Sequence, residues 1–341
     1  MSALSAEQYL ASMKKDASRD RFFFMLNENT EHDPMTWKAI EYMISREPNK
    51  DWGRELSAMR MSQALLAEMF EKNLFDDLSQ RIAPEDQPIL NACLIGVIPL
   101  HGINGHAQSR DFWGNPLDRS LLLINYGVYF VCSYLATALT LEILDGSLAA
   151  YRQSGKNFFH AAQYYYRNQR LPDDLLGKVD LGCLPLEVAA EIRWHTGRLS
   201  AIMMWFVGLH EFAHIRHGDI ESHFWKSMCP NGELPENTTD RQMLFMQEEE
   251  ADKYAVERLG AWKDGRSNVW SNFAQAYLLM KFLEIMEGQS TIVNSTHPPA
   301  RRRKELMLAH AANLVDHDPP SDYAAYVEDI VTAWQSEIRE V

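Results

Sequence analysis

The segment HEFAHIRHGD, residues 210–219, constrains the fold of this chain more than any other part of the sequence. Its first five residues follow the pattern H-E-x-x-H, and positions i and i+4 lie one turn apart on the same face of a helix. His210 and His214 can therefore direct two imidazoles at one cation, with Glu211 beside them as a general base for a water molecule. The alternative is a buried helix on which two histidines share a face by chance. The pattern favours a helix that carries a zinc site.

The segment QEEEADKYA, residues 247–255, provides the third predicted metal ligand. A catalytic zinc ion usually has three protein ligands and one open position. Glu248 is the predicted ligand. Asp252 lies one turn later on the same face and is predicted to accept the free ring N–H of a ligating histidine. The alternative is a solvated acidic face, which the sequence favours for Glu249 and Glu250.

The end of the H-E-x-x-H helix carries two further polar residues. His217 is not predicted as a ligand, because it lies about 10 Å along the helix axis from His210. The longer motif with a third histidine requires that histidine at position 220, where this chain has Ile220. The sequence leaves open whether His217 and Asp219 support the metal ligands or lie on the surface.

The composition is that of a folded chain with a large core. It has 341 residues, of which 46% are hydrophobic and 23% are charged. The net charge of −14 argues against nucleic acid and anionic membranes as partners. The four cysteines form no CxxC pair and the N-terminus has no apolar signal segment, so the cytoplasm is the predicted location.

An uncharged stretch at 121–141, LLLINYGVYFVCSYLATALTL, is long enough to span a bilayer. It contains several polar residues and three tyrosines, which favour a short strand, LLLIN, that turns at Asn125 into a buried helix. Another buried strand is predicted within 89–100, and loops are predicted at 102–118. Helices are predicted at 196–217, about 239–259, 267–288, 300–314 and 321–338.

These motifs together resemble the gluzincin metallopeptidases, and in particular the HtpX and CAAX-prenyl endopeptidase family. H-E-x-x-H is followed on a later helix by E-x-x-A-D-x-x-A, and two further blocks agree with the family, LLLINYGVYF at 121–130 and STHPPARRR at 295–303. The resemblance implies an α+β, mainly helical, zincin-like domain that binds Zn²⁺ and hydrolyses peptide bonds. It also implies that His297 faces the active site as a catalytic residue that donates to the oxyanion, with Arg303 nearby.

The sequence departs from that family in three respects. The members of the family carry transmembrane helices, and about 80 residues separate Gly127 from His210 here. The edge strand of the family is not evident either, and NGHAQ at 104–108 is only a weak match to it. The Lit-type peptidases are a second H-E-x-x-H group that the chain resembles. Other interpretations stay open: a zinc-binding sensor with latent or partner-controlled peptidase activity, or a zinc hydrolase of a non-peptide amide. His297 and Arg303 have an alternative too, in which the histidine caps a helix and the arginine pairs with a carboxylate.

The predicted organisation has three regions. An N-terminal helical region occupies residues 1–85. The zincin-like metallopeptidase domain follows at 86–315, with an insert at about 145–195, and a C-terminal helix occupies 316–341. In this domain a small sheet lies over the active-site helix, and its edge strand holds a protein or peptide substrate in an extended conformation.

Overall fold

A computed structural model describes most of the chain. The described residues are 5–17, 63–98, 102–111, 113–143, 152–169, 186–220, 238–261, 269–289, 297–314 and 320–336. Residues 221–237, which follow the H-E-x-x-H helix and are predicted from their composition to form a loop, lie outside the described residues, and so does much of the N-terminal region. The predicted domain boundaries stay predictions.

Ten α-helices and one three-stranded sheet form the described part of the chain, which confirms the predicted mainly helical α+β fold. The helices are α1 (Ala6–Ala17), α2 (Gln63–Ser79), α3 (Gln87–Asn91), α4 (Tyr126–Ile143), α5 (Arg152–Asn168), α6 (Leu186–His217), α7 (Thr238–Ala261), α8 (Val269–Gly288), α9 (Ala300–Ala312) and α10 (Pro320–Ser336). A short 3₁₀ turn, Pro84–Asp86, precedes α3. The strands are β1 (Leu94–Ile98), β2 (Gly105–Arg110) and β3 (Pro116–Asn125).

The sheet has the order β1-β3-β2, with β1 parallel and β2 antiparallel to the central strand β3. The two apolar strands lie where the sequence predicts them, although β3 begins earlier, at Pro116. The prediction of loops at 102–118 is wrong for Gly105–Arg110, which form β2 and overlap the weak edge-strand match NGHAQ. Its sequence, GHAQSR, has no apolar alternation. This polar segment becomes a strand by pairing with β3, and pairing of that kind leaves little trace in local sequence.

The predicted turn from strand to helix at Asn125 is confirmed, since β3 ends there and α4 begins at Tyr126. Among the helices that the structure describes, α4 is the one long and apolar enough to cross a membrane. In the folded chain, 72% of it is buried inside the protein. A core helix meets the same criteria of length and composition, so this helix alone is weak support for a membrane span.

Helix α6 is the central element, and it carries the H-E-x-x-H motif. It starts at Leu186, ten residues before the predicted start at Thr196, and ends at His217. Gly218 follows with a φ of 75°, the left-handed conformation that commonly terminates helices. Leu74 and Leu78 of α2 pack against α6 at Gly208, so α2 shares the main hydrophobic core with the central helix.

Helix α1 covers the other face of the sheet. Its Leu10 packs beside Gly96 of β1 and Leu123 of β3, within a second, smaller core cluster. The backbone N–H of Ala6 donates a hydrogen bond to Asp118, with a length of 2.7 Å. The sheet therefore lies between α1 on one face and the α6 layer on the other.

Candidate metal centre

Two imidazoles and one carboxylate meet between α6 and α7. The ligand atoms of His210, His214 and Glu248 all lie within 4.8 Å of one another, and all three residues are buried. The two histidine Nε2 atoms are 3.2 Å apart, and Glu248 approaches them to 3.3 and 3.5 Å. The sequence predicts these three residues as the ligand set, and the fold brings them together. The group can hold a metal ion.

The chemistry of the cluster also fits a cation. The Oε2 atom of Glu248 is buried and has no hydrogen-bond partner. A buried polar atom without a hydrogen-bond partner destabilises the folded state by about 1–3 kcal/mol, and a charged atom destabilises it more. Burial alone would raise the pKa of Glu248, but the neighbouring imidazoles of His297, His210 and His214 together hold this pKa well below its ordinary value. An anionic carboxylate whose Oε2 lies 3.3 Å from the Nε2 atoms of both His210 and His297 is suited to share a metal ion with imidazole ligands.

Small side chains let the two helices approach each other closely. Ala213 of α6 and Ala251 and Ala255 of α7 are completely buried. Ala251 and Ala255 are four residues apart, so they lie on one face of α7. Two helices that supply ligands to one ion need this proximity.

The carboxylate of Asp252 fixes the orientation of the first histidine. Its Oδ1 lies 2.9 Å from Nδ1 of His210, so the opposite ring nitrogen faces the other two ligands. Burial alone would lower the pKa of His210, but Asp252 and Glu248 outweigh it and raise this pKa to about 10. Asp252 thus occupies the position that the sequence predicts, where a carboxylate sets the ring orientation of a metal ligand.

Arg303 of α9 holds Asp252 in place. Its Nε and one terminal nitrogen each donate a 2.7 Å hydrogen bond to the two carboxylate oxygens, and both side chains are buried. Burial would raise the pKa of Asp252, but the guanidinium keeps it well below its ordinary value. This geometry corresponds to the alternative in which Arg303 pairs with a carboxylate. The arginine acts on the centre through Asp252 and His210.

Asp219 lies beside His214 in the same way that Asp252 lies beside His210. Its Oδ2 lies 3.2 Å from Nδ1 of His214, and its Oδ1 accepts a 3.0 Å hydrogen bond from Gln247 of α7. The left-handed turn at Gly218 directs the chain back, and the Asp219 N–H donates to the carbonyl of His214. The sequence leaves the role of Asp219 open. A helix-ending glycine followed by aspartate is the signal that points to it.

The contact with Asp219 predicts an effect on metal affinity. Asp219→Asn keeps the shape of the side chain but removes the negative charge that His214 faces. We expect its Kd for zinc, measured by competition with a chromogenic chelator, to rise by about 10–100-fold, as is typical for outer partners of metal ligands. Asp76→Asn is the matched control, since that exposed residue pairs with Lys72 on α2. Equal zinc affinity of the wild type, Asp219→Asn and Asp76→Asn would contradict a role of Asp219 in supporting His214.

Glu211 lies between the ligands and the sheet. It is buried, and burial raises its pKa, an effect that the nearby histidines oppose. A Cβ atom added at Gly105 of β2 would lie 2.8 Å from Cγ and 2.9 Å from Oε1 of Glu211. Real side chains do not pack at such distances, so glycine is what allows β2 to approach this carboxylate. The predicted base therefore lies directly beneath the start of an edge strand.

His297 lies next to the ligand set without belonging to it. Its Nε2 is 3.3 Å from Oε2 of Glu248, and its side chain is 37% exposed. The start of α9, which follows Pro298 and Pro299, is capped by another residue: Glu287 accepts a 2.8 Å hydrogen bond from the Ala300 N–H. The stretch that the sequence singles out thus brings His297 to the rim of the centre.

Comparison with known proteins agrees with this geometry. A family model described as Peptidase U49 matches residues 183–324, a segment that contains H-E-x-x-H, Glu248, Asp252, His297 and Arg303. The match supports a peptidase. This family is the Lit-type group, so the match agrees with the Lit-type resemblance and leaves the HtpX resemblance as a prediction. No curated protein and no solved structure gives a significant match to the chain.

Proposed function

We propose that this chain is a zinc-dependent endopeptidase. The proposal depends chiefly on one observation: a buried group of two imidazoles and a carboxylate, with the Glu211 carboxylate beside it, in a segment similar to a peptidase family. Two nitrogens and one carboxylate oxygen are a typical ligand set of catalytic zinc. Calcium and magnesium prefer sets made only of oxygen ligands, so the donor chemistry favours zinc.

His210, His214 and Glu248 would hold the ion. Zinc at such a site lowers the pKa of a water molecule and polarises a carbonyl group. In the mechanism we propose, Glu211 accepts the proton of the attacking water and delivers it to the leaving amine nitrogen. Burial raises the pKa of Glu211, which makes its carboxylate a better proton acceptor than an exposed glutamate.

Two further elements have proposed roles in the reaction. The backbone of β2 can pair with an extended peptide, since strands at sheet edges bind peptides by strand addition. The scissile carbonyl would then lie near Gly105, above Glu211. His297 is proposed to donate a hydrogen bond to the oxyanion that forms on that carbonyl, because its imidazole lies at the rim of the ligand group.

Metal removal tests the proposal. The purified protein is expected to contain about one zinc per chain and to cleave denatured casein. Dialysis against 1,10-phenanthroline should abolish cleavage, and added zinc should restore it, with zinc content measured by plasma mass spectrometry on the same samples. Cleavage that persists in the metal-free protein would contradict a metal-dependent mechanism. A protein that binds zinc and cleaves no peptide would favour the sensor or the non-peptide hydrolase.

A further inference from the structure

The two edges of the sheet differ in a way that bears on substrate binding. Four of the five residues of β1 are buried, and the Val97 N–H donates a 2.6 Å hydrogen bond to the carboxylate of Glu71 from α2. All six residues of β2 are half-buried. Within the described residues, β1 is thus capped by a side chain, whereas β2 is the edge suited to accept another strand.

The length and direction of β2 determine how far its C-terminal end lies from the proposed catalytic centre. Gly105 lies against Glu211, and Arg110 is five residues further along, about 17 Å away at roughly 3.4 Å per residue. Antiparallel pairing is the slightly more stable arrangement. A substrate paired in this way directs its N-terminal side from Gly105 towards Arg110, so residues well before the scissile bond reach the far end of β2.

Regular pairing on β2 ends before its last residue. The register between β2 and β3 shifts between Gln108 and Arg110, as in a β-bulge. A bulge disrupts the backbone ladder and increases the local twist. The extra residues lie on β3, because Gln108 pairs with Leu121 and Arg110 with Pro116. Since β2 ends at Arg110, a bound peptide that extends past this residue would depend on contacts with side chains.

The connection between β2 and β3 presents one large exposed side chain. Trp113, between β2 and β3, is 79% exposed. The buried carboxylate of Asp111 accepts hydrogen bonds of 2.9 Å from the Trp113 N–H and of 2.7 and 2.9 Å from the backbone and side chain of Asn115. Arg110 donates to the carbonyl of Gly114, whose φ is 85°. A tryptophan on such a turn binds an apolar group at low cost in conformational entropy.

We infer that Trp113 forms a distal substrate subsite. It binds an apolar or aromatic residue about five to seven positions before the scissile bond, a range set by the length of β2. The substrate class is then an extended segment of an unfolded protein with an apolar residue at that distance. The inference rests on the proposed peptidase function and adds a sequence preference that backbone pairing alone cannot supply.

An exposed tryptophan also suits a lipid surface, since its ring is amphipathic. The peptide is the better-supported occupant, because the turn continues directly from the strand that lies against Glu211. To distinguish a peptide from a lipid surface, the experiment also measures binding to vesicles of phosphatidylcholine and phosphatidylglycerol.

The test compares wild type, Trp113→Ala and Tyr326→Ala, the last a control for loss of an exposed aromatic residue on α10. Each protein digests a peptide library made from a denatured proteome, and mass spectrometry maps the cleaved bonds. We expect wild type and Tyr326→Ala to show apolar residues enriched at the distal positions, and Trp113→Ala to lose this enrichment. A long peptide from the cleaved set, with about eight residues before the scissile bond, should lose roughly tenfold in kcat/KM, mainly through KM.

A truncated version of that peptide cannot reach Trp113, so its kcat/KM should be the same in all three proteins, which a general loss of folding would not produce. Binding of the whole uncleaved peptide library to each protein in the Glu211→Gln background is measured in parallel, by capture on the immobilised protein and mass spectrometry of the bound peptides. Tighter binding that depends on Trp113, without any cleavage by wild type, would contradict the peptidase and support the subsite. Equal binding and equal cleavage profiles would overturn the subsite, as would vesicle binding that requires Trp113 while peptide binding does not.

Discussion

Glu248→Ala is expected to lose most of its zinc while the protein stays folded. Glu248 contributes the carboxylate of the three-residue group, and the change leaves two imidazoles, which cannot by themselves complete a catalytic zinc site. The zinc Kd should rise by more than the roughly 10–100-fold that is typical for loss of an outer partner. Zinc content after gel filtration and circular dichroism of the same fractions are the measurements.

Two neighbouring glutamates are matched controls for this change. Glu250 is exposed and pairs with Lys253, and Glu249 lies beside Arg302. Glu249→Ala and Glu250→Ala should therefore keep their zinc. Loss of zinc in Glu250→Ala together with full zinc in Glu248→Ala would show that α7 presents a different face to α6.

The parts of the centre that could be predicted from the sequence are those that depend on local helix geometry. His210 and His214, and likewise Glu248 and Asp252, are pairs four residues apart, and a helix places such pairs on one face wherever it lies in the fold. The prediction that α6 and α7 come together depends on the chemical requirement that a catalytic zinc ion has a third protein ligand. The structure agrees with that requirement.

Other contacts depend on the tertiary path of the chain, and the sequence contains only weak signals for them. Arg303 meets Asp252 across 51 positions of sequence, and no periodicity links the two helices that carry them. Asp219 reaches His214 because the chain reverses at Gly218, beyond the last turn of α6. In both cases the charged residue is visible in the sequence, but its partner is defined by tertiary structure.

The edge strand β2 is a secondary-structure element that the local sequence does not reveal either. Its residues are half-buried and mostly polar, so neither alternation nor apolar content identifies it. Its one informative residue is Gly105, which sequence alone suggests as a loop position. The structure gives a different reason for that glycine, because any side chain there would collide with Glu211.

Glu211→Gln is expected to separate hydrolysis from metal binding. Glutamine has almost the same shape, and Glu211 is not among the three ligands, so the variant should retain its zinc and its fold. An amide cannot accept and return a proton as a carboxylate does. We therefore expect kcat/KM for peptide cleavage to fall by about two to four orders of magnitude, the usual contribution of general acid–base catalysis.

The control for this change is Glu250→Gln, which alters the same functional group on the exposed face of α7 and should leave cleavage unchanged. Zinc content, thermal stability and kcat/KM are measured on one preparation of each protein. Because burial raises the pKa of Glu211, its negative charge is unfavourable in the folded state. Glutamine keeps the size of the side chain and buries no charge, so we expect thermal stability close to that of the wild type, and a loss of activity without unfolding is attributable to the missing base. Full cleavage by Glu211→Gln would mean that another group accepts the proton, whereas loss of zinc would mean that Glu211 supports the ligands instead.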